Sequence, residues 1–347
     1  MSPSEELRTD ITTLTTHIIA QQQLSGKPAT GDLSLLLSAI GSACKWISNV
    51  VRKAELLKVI GATGVTNVQA ETVQKLDILS NEIFINLLKG TGRAAVLVSE
   101  ENEEVGFVFA RFERAIFVDS ERGHYCVVFD PLDGSSNIDC GVSVGTIFGI
   151  YEMFNRRDKS SLKDILRPGT QMVAAGYCMY GSSTIMMLTS GHGVDGFTLD
   201  PNTGEFLLTH KQVKLGKKKI YSINEGNSHA FDEAVKEYLH SVKFPEPING
   251  KVSPYSARYV GSMVADVHRT LLYGGIFMYP TGKLRILYEC FPMSFLVEQA
   301  GGKSSTGRGR MLEVIPEKLH ARAGIFLGTT EEVDKIEALY KKMDATK

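Results

Sequence analysis

The chain has 347 residues, 43% of them hydrophobic and 22% charged, and a formal net charge of -1. This is the composition of a globular protein of one large or two medium domains. A near-neutral chain offers no global basic field to nucleic acid, and no apolar run approaches the ~20 residues of a membrane span. Cys44, Cys126, Cys140, Cys178 and Cys290 are scattered without a CxxC pair, which reads as reduced thiols in a cytoplasmic setting rather than a disulfide framework. The polar, acidic first ten residues are unlike a signal or transit peptide, and Ala345-Thr346-Lys347 is not a peroxisomal tripeptide.

In chain order, Leu7, Ile11, Leu14, Ile18 and Ile19 recur at helical spacing and predict a first amphipathic helix over 6–23. Gly26 and Gly31 break it. Thr30 or Asp32 can cap a second helix striped by Leu33, Leu36, Leu37, Ile40, Cys44, Ile47 and Val51. The Gly-rich segment 61–67 is either a plain connection or a mobile loop. A third helix carries Val73, Leu76, Ile83, Phe84 and Leu87 and ends at Gly90, with Glu71 and Asp77 near its start.

Next, Ala94 to Ser99 forms a short apolar run ending in Glu100-Glu101, and Ala115 to Asp119 is weakly strand-like. Tyr125 to Phe129 is a second strand running into carboxylates, Asp130 and Asp133. Strand 142–153, a charged loop over 155–168 and paired strands 172–180 and 184–188 follow. Segments 191–196 and 200–204 read as turns, with a second half starting soon after; we divide the chain at 211/212. The second half alternates strand 220–223, helices 232–240 and 262–272, strand 276–279, an apolar piece 284–289, helix 292–300, strand 323–327 and helix 331–343. Interspersed strands and helices predict layered α/β or α+β packing with mixed sheets.

The chemistry centres on Val127 to Asn137. A buried strand delivers Asp130 and Asp133 to a fixed point, and the small residues Gly134, Ser135 and Ser136 let backbone N–H groups approach an anion. Glu71, Asp77, Glu100, Glu101, Asp130, Asp133 and Glu289 form the candidate acidic set. Carboxylates that converge without a cation raise one another's pKa, and a hard divalent ion such as Mg²⁺ resolves the conflict. Arg258-Tyr259, Lys283 and Arg285 supply positive charge beside aromatic or strand-like residues, as a bidentate fork or a point charge suited to phosphate.

The segment Asp130-Pro131-Leu132-Asp133-Gly134-Ser135-Ser136-Asn137 resembles the metal-binding signature of the lithium-sensitive sugar and inositol phosphatase superfamily. The stretches 75–81 (KLDILSN), 96–101 (VLVSEE), 222–226 (SINEG), 257–269 (ARYVGSMVADVHR), 282–290 (GKLRILYEC) and 300–302 (AGG) narrow this to the fructose-1,6-bisphosphatase family, over essentially the whole chain. The resemblance implies a layered αβαβα fold, an N-terminal allosteric half, a C-terminal sugar-binding half and a homotetramer. It implies gluconeogenic hydrolysis of the 1-phosphate of fructose 1,6-bisphosphate with two or three ions per site, Mg²⁺ foremost and Mn²⁺ or Zn²⁺ as alternatives.

Residue by residue, Glu100, Asp130, Asp133, Glu289 and the Leu132 carbonyl match the family's metal ligands. Glu71 falls where the family commonly has Asp. Asp77 and Glu101 match the acids that activate the attacking water, and the Gly134 and Ser135 N–H groups face the reacting phosphate. Asn224, Tyr259, Tyr279 and Lys283 match contacts to the sugar and 6-phosphate, with Arg285 beside them. Gly261, Ser262 and Met263 match the pocket wall. Arg258 matches a residue that reaches the phosphate from a neighbouring subunit, and Asn227 stands where many members have Tyr. For inhibition by AMP, Thr30-Gly31-Asp32-Leu33-Ser34 resembles the loop-to-helix phosphate site, and Tyr125 matches another contact. His124 replaces the usual Lys, and Glu152 an Arg of animal enzymes. A bisphosphatase for sedoheptulose, an inositol monophosphatase relative and a non-catalytic nucleotide sensor are the competing classes; the second-half motifs oppose the inositol reading, and the intact acidic set opposes the sensor.

Overall fold

A computed structural model describes residues 11–24, 30–54, 56, 62–66, 72–102, 115–118, 123–153, 165–247 and 249–346. Glu71 lies outside the described residues, as do Gly61 and Asn67 at the ends of the Gly-rich segment 61–67. So do 6–10 of the expected first helix and most of the charged loop 155–168.

The helices are α1 (Leu14–Leu24), α2 (Asp32–Arg52), α3 (Lys75–Gly90), α4 (Glu233–Lys243), α5 (Met263–Tyr273), α6 (Phe291–Gln299) and α7 (Thr330–Ala345). The strands are β1 (Ala62–Thr66), β2 (Thr72–Gln74), β3 (Ala94–Ser99), β4 (Ile116–Phe117), β5 (Tyr125–Asp133), β6 (Val144–Glu152), β7 (Met172–Tyr180), β8 (Thr184–Thr189), β9 (Asp195–Asp200), β10 (Glu205–His210), β11 (Ile220–Ser222), β12 (Ser256–Ala257), β13 (Ile276–Arg285), β14 (Lys303–Ser305) and β15 (Arg322–Gly328).

Two mixed sheets organise the molecule, eight strands in the order β10-β9-β8-β7-β6-β5-β3-β4 and five in the order β12-β11-β13-β15-β14. Helices α1, α2 and α3 cover the outer face of the larger sheet, α5 and α6 lie between the sheets, and α4 and α7 cover the smaller one. The result is αβαβα, and the described residues form three apolar clusters: under α1 to α3, between the two sheets around α5 and α6, and under α4 and α7. The central strands of the larger sheet read as continuous apolar runs because both faces are covered: Cys126 to Phe129 is fully buried. Helix α2 is as long and apolar as a membrane span, at a mean hydropathy of 1.3, but its stripe of Leu36, Leu37, Ile40, Cys44 and Ile47 is packed into the core beneath α1 and α3.

Three features go beyond the sequence reading. The expected turns are present at 191–194 and 201–204, but the hairpin they bound, β9 and β10, was not anticipated; Gly and Asp density at its ends masked the short apolar pairs Phe197/Leu199 and Phe206/Leu208. Strand β13 continues to Arg285 through a bulge, since five steps from Tyr279 to Leu284 face two on β15. The apolar piece ahead of α6, whose conformation the sequence left open, is over 286–290 a single wide π-type turn.

Candidate active site

Strand β5 lies parallel to β3, so Ser99 pairs with Phe129 and the two carboxylate-bearing strand ends emerge side by side. The Glu100 N–H donates to the Phe129 carbonyl at 3.1 Å. Against β6, Asp130 pairs with Ile147 and Asp133 with Gly145, which leaves one extra residue on β5. Pro131 sits at this bulge, where a residue without an N–H disturbs no ladder bond. The bulge is braced by Thr146, which donates to the Pro131 carbonyl at 2.8 Å, and by the Leu132 N–H, which donates to Asp130 Oδ1 at 3.0 Å.

Across the interface between the halves, Asp133 Oδ2 accepts the Ser262 hydroxyl at 3.0 Å and the Val264 N–H at 2.8 Å. Glu289 arrives on the π-type turn and accepts the Arg285 N–H at 2.6 Å. The Arg285 guanidinium meets Glu100 at 2.6 Å and stands 3.9 Å from Glu289. Asp130, Asp133 and Glu289 each place a carboxylate oxygen within 4.8 Å of the others, all three buried. Burial, then Glu100 and Asp133, holds the Asp130 carboxyl well above its ordinary value. Burial pushes Asp133 up to about 6, opposed by its bonds from Val264 and Ser262. Burial and then Glu100 push Glu289 up to about 8, opposed by Arg285. An all-oxygen, charge-frustrated donor set of this kind fits a hard divalent cation.

Beside the cluster opens a cavity of about 470 Å³, whose lining includes Asp77, Glu100, Glu101, Asp130, Leu132, Asp133 and Glu289 together with Tyr259, Gly261, Met263, Tyr279, Lys283 and Arg285. Asp77 projects from the first turn of α3 and is 3% exposed. Gly134 turns the chain with φ +76 beside Ser135 and Ser136; a Cβ there would lie 2.7 Å from Ser262 Cβ, so the close approach requires glycine. Asn224 caps a short turn by accepting the Gly226 N–H, and exposed Arg258 bonds its own segment at the Ala257 carbonyl; neither lines the cavity of its own chain.

Several contributors were not singled out from sequence. Ser99 donates to Asn81 at 2.8 Å and Asn81 to Asn102 at 2.7 Å, tying α3 to the turn that carries Glu101. Asp266, fully buried, gathers donors from the segment that carries Tyr259 and Gly261. A carboxylate within the otherwise apolar run Met263 to Val267 was the available signal.

The proposed nucleotide residues also come together. Gly31, at φ +80, precedes α2; Asp32 N–H faces Thr30 Oγ1 at 3.4 Å, and Ser34 donates to Gln22 of α1 at 3.1 Å. The His124 and Tyr125 N–H groups both donate to the Arg93 carbonyl. Asp32 lies 3.0 Å from Arg93 Nε and 4.0 Å from His124 Nε2, so Arg93 brings a guanidinium that the sequence reading did not anticipate. Leu33 and Ser34 also border a second cavity of about 130 Å³, walled by α1, α2 and the β8–β9 turn.

A layered αβαβα scaffold with a buried oxygen-donor cluster opening onto a phosphate-sized turn defines a metal-dependent sugar phosphatase. Two family models match, "Fructose-1-6-bisphosphatase, N-terminal domain" over residues 12–211 and "Fructose-1-6-bisphosphatase, C-terminal domain" over 215–341. A cytosolic fructose-1,6-bisphosphatase of Oryza coarctata is 55% identical over 344 residues, covering 97% of this chain and 96% of that protein. The cytosolic enzyme of Arabidopsis thaliana is 54% identical over 340 residues, 96% of both chains. The crystal structure of Leishmania major fructose-1,6-bisphosphatase in holo form superposes with a TM-score of 0.86 at 44% identity, covering 95% of this chain and 99% of that one. The chain belongs to the fructose-1,6-bisphosphatase family.

Proposed function

We propose that the chain hydrolyses the 1-phosphate of fructose 1,6-bisphosphate to fructose 6-phosphate and phosphate, a gluconeogenic step, in the cytosol where its relatives are named. The observation that carries this reading is one cavity lined both by three buried carboxylates within 4.8 Å of one another and by Tyr259, Tyr279 and Lys283. Two or three Mg²⁺ ions, with Mn²⁺ or Zn²⁺ as alternatives, would be held by Glu100, Asp130, the Leu132 carbonyl, Asp133 and Glu289, with Glu71 completing the set. Their chemistry is neutralisation of charge on the transferring phosphoryl group.

The protein's own groups do the rest. Glu101 and Asp77 take the proton of the attacking water. The Gly134 and Ser135 N–H groups hold the phosphoryl oxygens. Asn224, Tyr259, Tyr279 and Lys283 bind the sugar and 6-phosphate, Gly261, Ser262 and Met263 wall the pocket, and Arg285 stands between sugar and carboxylates. This remote binding orients the reacting end. Arg258, exposed and turned from its own cavity, serves the neighbouring site of a homotetramer. AMP inhibits at Thr30 to Ser34, with His124 and Tyr125; the clustering of those residues beside Arg93 and the second cavity supports this.

Phosphate release from fructose 1,6-bisphosphate, with and without EDTA, tests the activity; no release with Mg²⁺ present, or release unaffected by EDTA, would reject it. Sedoheptulose 1,7-bisphosphate and inositol monophosphate in parallel separate the competing substrates. Titration with AMP tests the regulation, and full activity at millimolar AMP would exclude it.

A further inference from the structure

We propose that Asp266 is a positioning residue for substrate, the single carboxylate that sets both sugar-binding segments of the cleft. It sits on the first turn of α5 and is 0% exposed. Both its oxygens lie 3.0 Å from the Val260 N–H, and Oδ2 accepts the Gly261 N–H at 3.0 Å. Oδ1 accepts the Ser222 hydroxyl at 2.9 Å and a guanidinium N–H of Arg269 at 2.5 Å.

Those donors belong to the two stretches that approach the sugar end. Val260 and Gly261 follow Tyr259 and hold Gly261 at φ +92, a left-handed turn that aims Tyr259 and Ser262. Ser222 ends β11, two residues before Asn224. Arg269 extends the clamp, donating also to the Arg258 carbonyl at 2.8 Å and to Ser222 Oγ at 3.1 Å. Four donors, one of them the Arg269 guanidinium, converge on one buried carboxylate, so its loss removes the acceptor of two backbone N–H groups at once. The placement of Tyr259, Asn224 and the Arg258 backbone thus depends on one buried side chain in the cleft wall.

The proposal rests on the fructose 1,6-bisphosphatase reading, and its test separates the two. In the full-length protein, Asp266→Ala is expected to raise KM for fructose 1,6-bisphosphate and the inhibition constant of fructose 6-phosphate together, by ~10-fold or more, with kcat within ~3-fold. Amide exchange at 258–262 should accelerate by a similar factor while β5 stays protected. Asp266→Asn combined with Arg269→Gln retains an acceptor for both N–H groups and no unpaired charge, and should restore both constants to within ~3-fold of wild type.

If Asp266→Ala does not fold, Asp266→Asn alone replaces it. Its amide must turn a donor toward Arg269, and the same joint rise is expected. Unchanged KM and exchange in a folded variant, or a loss confined to kcat, would overturn the proposal. If wild-type protein does not turn over the sugar bisphosphate, the functional reading fails, while the exchange arm still decides the role of Asp266.

Discussion

Asp133 shows how one side chain can serve two halves of a molecule. It ends a buried strand of the N-terminal half, and it accepts from Ser262 and Val264 at the start of α5 in the C-terminal half. These bonds fix the rotamer of a carboxylate whose like-charged neighbours would otherwise repel it. Asp133→Ala or Glu101→Gln is expected to lower turnover by at least ~10²-fold, the scale of one well-placed acid–base or ligand group. Steady-state kinetics on either variant decides this, and near-normal turnover would remove the assigned role. Gly134 is a separate case. Its φ of +76 and the 2.7 Å approach to Ser262 Cβ mean that Gly134→Ala should cost about 1–3 kcal/mol in urea unfolding and displace the hydroxyl on Asp133. An unaltered midpoint would contradict that packing.

Elements place these residues through their ends. The parallel pairing of β3 and β5 puts two carboxylate pairs at one edge, and the bulge at Pro131 spaces Asp130 from Asp133. Helix α5 is held over the larger sheet by His268, whose Nδ1 meets the Tyr177 hydroxyl of β7 at 2.8 Å. Burial, then His210, lowers this imidazole from 6.5 to about 4. The folded state therefore keeps His268 neutral, while the unfolded chain protonates it. The stabilisation is complete above 6.5 and is lost as pH falls toward about 4, up to about 3 kcal/mol at full titration. His268→Gln, measured by urea unfolding at about pH 7 and about pH 5, should flatten that slope. A slope equal to wild type would show that the imidazole is not the group responsible.

At the scale of the whole molecule, the cleft lies where the two sheets and their halves meet, so a bound cation is also a clamp. Saturating Mg²⁺, at a hundredfold excess over its Kd, should stabilise the protein by about 2.7 kcal/mol, read as a rise in Tm that EDTA reverses. No rise would mean that the three carboxylates do not bind the ion in the folded state. The proposed tetramer carries its own test. Arg258→Ala and Asp133→Ala chains, each impaired alone, should recover activity when mixed as hybrids, because one supplies an intact Arg258 to the other's intact carboxylates. Hybrids no better than the average of the parents would place Arg258 in its own chain's site.

Much of this was legible in the sequence where the signal is local. The apolar run ending in Asp130-Pro131-Leu132-Asp133-Gly134 specifies strand and turn by its own residue types, though the bulge between them comes from pairing with β6, and the stripe of α2 specifies a core helix by its period. The β9–β10 hairpin was hidden because its strands are short and its ends rich in turn residues, so tertiary pairing with β8 decides them. Arg285 carries no local sign that its guanidinium meets Glu100, and the Asp266 carboxylate reads only as an oddity within an apolar helix. The bond from Ser262 to Asp133 spans 129 residues. The sequence by itself determined which residue types stand at strand ends and turns, since these follow from periodicity and backbone preference. Only the tertiary structure decided which carboxylates share one pocket and which donors restrain them, because those contacts are selected by packing between segments far apart in the chain.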